Sequence, residues 1–312
     1  MLRHLLALFI LTFPLALLAK APQAKAPVAA SSWKYVESRL LKEGFPSSFV
    51  SEMERLYEPK DFLSVVELNV LLFLRKSDYH GPQVSRESTT NTEAFLRKYK
   101  TAFEKAETTT GVPGSVVACL LWIESRHGKS LGRFHVPSVY LSLLQANRKP
   151  VIQHLKKQAP RFGGKVTAQQ LKEIEKRTKK KSSWALEELQ ALEKAYSWKW
   201  TSVATLRGSF SGAFGMPQFI PSSYARWARA QNGAGAPDLF SPEDSIQSVS
   251  YYLQDSGWKK NAPETHIPAL MKYNNSRDYA LAILSLAEKV EGRPLVPIKE
   301  PRRPAQAGVD AF

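Results

Sequence analysis

The sequence holds a single cysteine, Cys119, among 312 residues, so no intramolecular disulfide can form. Cys119 lies inside an apolar, helix-patterned stretch and reads as a small buried side chain rather than a nucleophile. The six histidines are scattered without metal-ligand spacing, and no Ser/His/Asp order or Cys/His pair stands out. No cofactor and no metal is therefore expected. Acidic residues are scarce: 28 Asp and Glu face 44 Lys and Arg, a net charge of +16. That imbalance calls for an acidic partner, whether nucleic acid, a membrane surface or an anionic polymer. Strand-rich blocks and internal repeats are also missing, which leaves a mainly α fold. With 43% apolar and 23% charged residues the chain can build a sizeable core, enough for one large domain or two lobes around a cleft.

The ends carry a different composition. Arg3 precedes an apolar run from Leu5 to Leu18, interrupted by Pro14, and Ala19-Lys20-Ala21 supplies a small-x-small site. This is the three-part pattern of a secretory signal over residues 1–21. The run is short for a membrane span, and an uncleaved anchor is the alternative. No cysteine follows it, so it is not a lipoprotein leader. Residues 22–31 read as an Ala/Pro linker, and 292–312, with four prolines, as a loose tail. Export turns the expected acidic partner away from nucleic acid and toward the carboxylates of cell wall.

Between these ends the periodicity is helical. Trp33, Val36, Leu40 and Leu41 mark one helix, and Phe62, Val65, Val66, Val70, Leu71 and Leu74 another. A polar stretch, 76–92, precedes a helix predicted over Glu93–Thr108. From Val112 to Glu124 the pattern is apolar on all sides, the mark of a helix buried in the middle of the protein. Residues 148–181 carry twelve Lys or Arg against two Glu. This basic insertion, bounded at 148–183, reads either as a solvated surface region or as an electrostatic patch facing an acidic polymer or membrane. Further helices are predicted over 184–196, 221–231, 243–256 and 277–290.

Glu124 is the foremost candidate for chemistry. It is a lone carboxylate ending an otherwise apolar helix, where burial and the negative end of the helix dipole both favour the protonated form. Such a group suits a general acid at neutral pH. The alternative is a surface Glu capped by Arg126. In the run 208–224, Ser209 and Gln218 stand among Phe210, Phe214, Phe219 and several glycines, a mixture of polar and aromatic groups that suits a sugar. A tight turn packed by aromatics fits the same spacing. Tyr273-Asn274-Asn275 with Tyr279 forms a second, weaker cluster. No partner carboxylate for a two-acid glycosidase is evident, because Glu243 and Asp244 follow Ser241-Pro242 as a helix start.

Together these segments resemble the membrane-bound lytic transglycosylase B family, the MltB-like lytic murein transglycosylases, from about Trp33 to Val290. Gly111–Gly114 through Glu124-Ser125-Arg126-His127-Gly128, the run 208–224, the helix ending in Gly257-Trp258 and the Tyr273-Asn274 pair match four family segments in order. The resemblance implies a lysozyme-like fold with helical lobes around a glycan-binding cleft in residues 32–291. It further implies cleavage between N-acetylmuramic acid and N-acetylglucosamine, forming a 1,6-anhydro end, with Glu124 as the one catalytic acid/base; the signal pattern places the enzyme in the periplasm, and a monomer is expected. Ser209 and Gln218 carry over as sugar-binding positions, and Tyr252, Tyr273, Asn274 and Tyr279 as cleft-lining ones. A goose-type muramidase, which would use water in place of the C6 hydroxyl, and an inactive wall-binding scaffold are the rivals. Three departures stand out. Met216-Pro217 replaces Tyr-Gly, His127 replaces Trp, and Ala230, Ala234 and Ala236 replace oxygen ligands of the calcium loop that some members carry.

Overall fold

The computed structural model describes residues 30–75, 84–197 and 203–293. The predicted signal segment, most of the linker and nearly all of the tail lie outside the described residues. Among the described residues the chain forms thirteen α-helices, three-residue 3-10 turns and one ribbon of two-residue strands. The first group is α1 (Trp33–Lys42), α2 (Ser47–Leu56) and α3 (Phe62–Leu71); the second is α4 (Arg86–Lys98), α5 (Lys100–Thr110) and α6 (Gly114–Ser125). After strand β1 (Phe134–His135) come α7 (Val136–Leu144), α8 (Lys149–Gly163) and α9 (Ala168–Ser197). Strand β2 (Arg207–Gly208) leads to α10 (Pro221–Trp227), α11 (Pro242–Asp255), α12 (His266–Tyr273) and α13 (Arg277–Glu291).

Prolines set several starts. Pro137, Pro150, Pro221 and Pro242 each occupy the first turn of α7, α8, α10 and α11, where the missing N–H is not needed. Every residue of α6 is buried, as its unbroken apolar pattern requires. Around it pack α4, α5, α11 and α13, while α7 is surrounded by α2, α3 and α9, and α9 also meets α10. The antiparallel ribbon, with Phe134 opposite Gly208, joins the exit of α6 to the glycine-rich run.

Three expectations are corrected. The single helix predicted over Glu93–Thr108 is two, broken at Tyr99 (φ −111°, ψ 29°), whose ring turns onto Phe95. The polar stretch before it is already helical from Arg86. Ser85 and Ser88 form a reciprocal capping box there, and a helix this polar shows little apolar periodicity. The basic stretch up to 183 and the helix predicted over 184–196 are not separate elements. One helix, α9, continues to Ser197, with Ile174, Ala185, Leu189 and Leu192 buried in the common core.

Candidate active site

The site is built on the way α6 ends. Arg126, His127 and Gly128 take φ of 52°, 54° and 85° in succession, and the first two are non-glycine residues in the left-handed region, a conformation costing on the order of 1–3 kcal/mol each. Hydrogen bonds hold the reversal in place. Arg126 N–H donates to Trp122 O (2.8 Å), His127 N–H to Leu121 O (3.2 Å) and Gly128 N–H to Ser125 Oγ (3.0 Å). The His127 ring lies flat on Phe95, with centroids 4.0 Å apart, and its Nε2 meets Ala118 O at 2.9 Å. Burial pushes the pKa of His127 down to about 4, so at neutral pH it is an uncharged packing group.

Glu124 sits in the last turn before this reversal and is 5% exposed. Arg126 does not cap it; Arg126 pairs with Glu87 (3.6 Å) and lies over the Trp122 ring. The hydroxyl of Tyr279 donates to Glu124 Oε1 at 2.5 Å. Ser276 aims Tyr279 by capping α13 through the Tyr279 N–H. Burial raises the pKa of Glu124 to about 8, against the lowering effect of the Tyr279 hydrogen bond, and no neighbouring charge contributes. At pH 7 the carboxyl is therefore mostly protonated.

The segment leaving α6 lies along the glycine-rich run. A Cβ on Gly128 would stand 3.1 Å from Met216, and Gln218 Nε2 donates weakly to Leu131 O (3.5 Å). Gly132 abuts Gly208, whose carbonyl a Cβ would meet at 2.2 Å. Ser209 follows at once. Its Oγ accepts the N–H groups of Ser211 (3.3 Å) and Ala213 (3.2 Å), so what it can offer a ligand is its O–H. Gln218 has φ 52° and is 4% exposed, with Nε2 donating to Gly215 O at 2.8 Å. The glycines serve contact within the protein: a Cβ on Gly212 would strike the Tyr140 ring at 2.4 Å, and one on Gly215 would strike Leu239.

Tyr273 reaches the same run by donating to Pro217 O. Burial, and after it the nearby Glu124 charge, raises its pKa well above the usual phenol value. Glu124, Tyr279, Tyr273, Gln218 and Ser209 are thus linked through the 124–132 and 208–218 segments. Asn274, buried, caps the end of α12 beside them. Tyr252 stands further back: it is 3% exposed, its hydroxyl donates to Lys272 O (2.6 Å), and its ring supports Tyr273 edge-on at 4.7 Å. Ser276 and the carbonyl of Pro217 escaped the sequence reading, although a Ser before Arg277-Asp278 is a recognisable helix start.

The calcium-loop region has a donor set that does not fit the ion. Both Asp244 oxygens accept backbone N–H groups, from Gln231 (2.9 Å) and Asp238 (2.8 Å), and Asn232 Oδ1 accepts from Ala234 (3.0 Å). The alanines add no side-chain oxygen. No group of three or more His, Cys, Asp or Glu placed to hold a metal occurs among the described residues.

The transglycosylase SLT domain family model matches residues 30–269. This chain belongs to that family. The transglycosylase-domain chain is similar to the membrane-bound lytic murein transglycosylase B of Escherichia coli K12, 26% identical over 182 residues, which is 58% of this chain and 42% of that protein. The match thus spans less than half the length of that relative. Among solved structures, the Escherichia coli lytic transglycosylase SLT35 in complex with calcium aligns over 84% of this chain and 93% of its own, at 20% identity and a TM-score of 0.59. SltB3 of Pseudomonas aeruginosa in complex with NAG-NAM-pentapeptide aligns over 83% and 79%, at 17% identity and a TM-score of 0.62. The fold of the transglycosylase-domain chain is that of these lysozyme-like enzymes.

Proposed function

We propose that this chain is a lytic murein transglycosylase that cleaves the bond between N-acetylmuramic acid and N-acetylglucosamine with Glu124 as its single acid/base. The observation that carries the reading is a buried carboxyl held protonated near neutral pH, with no second carboxylate acting on it among the described residues. Most hydrolytic glycosidases use two carboxyl groups roughly 5–9.5 Å apart, the exceptions being those whose substrate assists. One group suffices when the substrate supplies the nucleophile. Glu124 gives its proton to the glycosidic oxygen as the C1–O bond breaks, and the muramic acetamido group supports the cationic centre. The C6 hydroxyl then attacks C1 and returns its proton to Glu124, closing a 1,6-anhydro ring without water. Between these steps Glu124 is a carboxylate, and the Tyr279 O–H stabilises that charge.

Ser209, Gln218, Tyr273 and Asn274 are proposed to line the glycan cleft, with Tyr252 supporting Tyr273. The chain is proposed to act outside the cytoplasm as a monomer, exported by its N-terminal segment. Among the described residues no helix is long and apolar enough to cross a membrane. A peripheral contact with anionic wall or membrane is proposed through α8 and α9. Lys149, Lys157, Arg161, Lys165, Lys172, Lys179 and Lys180 are all exposed there, while Glu173 and Glu175 are each paired with a lysine of the same pair of helices. The deciding experiment is digestion of purified sacculi followed by mass spectrometry. Muropeptides one water lighter than hydrolysis products are expected; hydrated ends would show a muramidase, and undigested sacculi a scaffold.

A further inference from the structure

The turn that carries Ser209 is held from behind by a buried polar network that begins in the basic insertion. Asn69 is the lone polar side chain on the inner face of α3 and is 4% exposed. Its Nδ2 donates to Val65 O in its own helix (2.9 Å) and to Phe210 O (2.8 Å). Its Oδ1 accepts from Ser211 Oγ (3.0 Å) and from Lys181 Nζ (3.1 Å). The two donor hydrogens and both acceptor lone pairs of the amide are thereby used. Lys181 comes from α9, is itself buried, and places its ammonium 4.2 Å from the centre of the Trp184 ring. Burial, and after it the Arg177 charge, holds the Lys181 pKa down to about 7, with Glu188 acting the other way. Tyr140 fastens the far side of the same turn through Gly212 O (3.0 Å).

Burying a lysine and an asparagine without partners would cost several kcal/mol; the Asn69 amide is fully partnered, and Lys181 is held by the Asn69 carbonyl oxygen and the Trp184 ring. Two of the four bonds to Asn69 end on the residues next to Ser209.

We propose that Lys181 and Asn69 are positioning residues for glycan binding, which through Phe210 O and Ser211 hold the turn that aims the Ser209 hydroxyl at the sugar. The inference rests on the transglycosylase reading, and it ties the basic insertion to the cleft by a direct chain of hydrogen bonds. Lys181→Met keeps volume and removes the donor, while Asn69 Oδ1 keeps its hydrogen bond from Ser211 Oγ.

The test is performed in the full chain. Affinity for a soluble tetrasaccharide of alternating N-acetylglucosamine and N-acetylmuramic acid is measured in a Glu124→Gln background, and KM and kcat for sacculi in the active enzyme. Lys181→Met is expected to weaken binding and raise KM about tenfold with kcat changed by less than about twofold, the loss of one buried hydrogen-bonded contact. Lys181→Arg, which restores a donor, is expected to recover most of the loss. In a Ser209→Ala chain, Lys181→Met is expected to add little, because both act through one hydroxyl. A folded Lys181→Met chain with unchanged binding and KM overturns the inference, as does a full additional loss on top of Ser209→Ala. If Ser209→Ala itself leaves tetrasaccharide binding unchanged, the glycan reading of the turn fails first, and the inference with it.

Discussion

The end of α6 and the run 208–224 face each other, yet they use polar residues in opposite ways. At the end of α6 one carboxyl is buried against apolar neighbours with a single hydrogen bond, and burial itself produces the property that matters, a proton retained near pH 8. In the run 208–224 the polar groups are taken up by the backbone around them: Ser209 Oγ by two N–H groups, Gln218 by Gly215 O. A helix provides its own hydrogen bonds and can leave one side chain over for chemistry. A sharply folded loop cannot, so its side chains must shape it before they meet a ligand. Substitutions on the two sides should therefore fail differently.

The sharpest contrast is Glu124→Gln. Removal of the acid at constant shape is expected to lower turnover by roughly a hundredfold or more, with the fold intact. Stability offers a second readout. The folded carboxyl holds its proton to about pH 8 whereas an unfolded one releases it near 4.5. Folding stability contributed by the protonated form is thus complete below the unfolded value and is lost as pH rises toward 8. Glu124→Gln should raise the melting temperature at pH 8 more than at pH 5; an equal shift at both would show that Glu124 does not titrate as placed.

Tyr279→Phe probes the one hydrogen bond that the Glu124 carboxyl makes among the described residues. Its loss should slow cleavage about tenfold, the usual scale for a charge-assisted bond, because the intermediate carboxylate is left less stabilised. The bond lowers the pKa of Glu124, so without it the alkaline limb of the rate profile should move to higher pH. A limb that moved downward would contradict the geometry.

On the other side, Ser209→Ala and Gln218→Ala are each expected to weaken glycan binding by about 1–3 kcal/mol. They should part company in thermal melts. Gln218→Ala also removes the amide that holds Gly215 O and leaves a residue at φ 52° without its side-chain staple, so it should lower the melting temperature more than Ser209→Ala. Equal melts would show that the Gln218 amide holds the run no more firmly than the Ser209 hydroxyl does.

How much of this was legible follows the same division. The buried helix and its terminal carboxylate could be read directly, since an all-round apolar pattern has one structural meaning. Asn69 was readable on the same principle, a polar residue in the run Val65–Leu74, yet its partners lie more than a hundred residues away. The inward use of Ser209 and Gln218 was not readable, because the run's spacing fits a sugar site and a packed turn equally. Tyr279 entered through a weak Tyr/Asn cluster and, by the resemblance, as a cleft-lining position; its contact with Glu124 joins residues 155 apart. Helices α7 and α12 were passed over, one nine residues long and buried on every side, the other only eight residues long.

The smallest effect is expected in the loop between α10 and α11. A calcium loop gathers six to eight oxygens, several of them carboxylate. Here Asp244 is fully occupied in closing the loop onto the Gln231 and Asp238 N–H groups, and Asn232 and Asp238 are each turned onto the chain two residues on. An ion would have to displace those backbone bonds and would find little negative charge to offset its own. Added calcium at micromolar concentration should therefore leave the melting temperature where chelator leaves it. Asp244→Asn should lower the melt by the same amount with and without calcium, since the side chain's work is done toward the backbone. A calcium-dependent gain of several degrees that vanished in Asp244→Asn would show that the carboxylate can exchange its backbone partners for a metal.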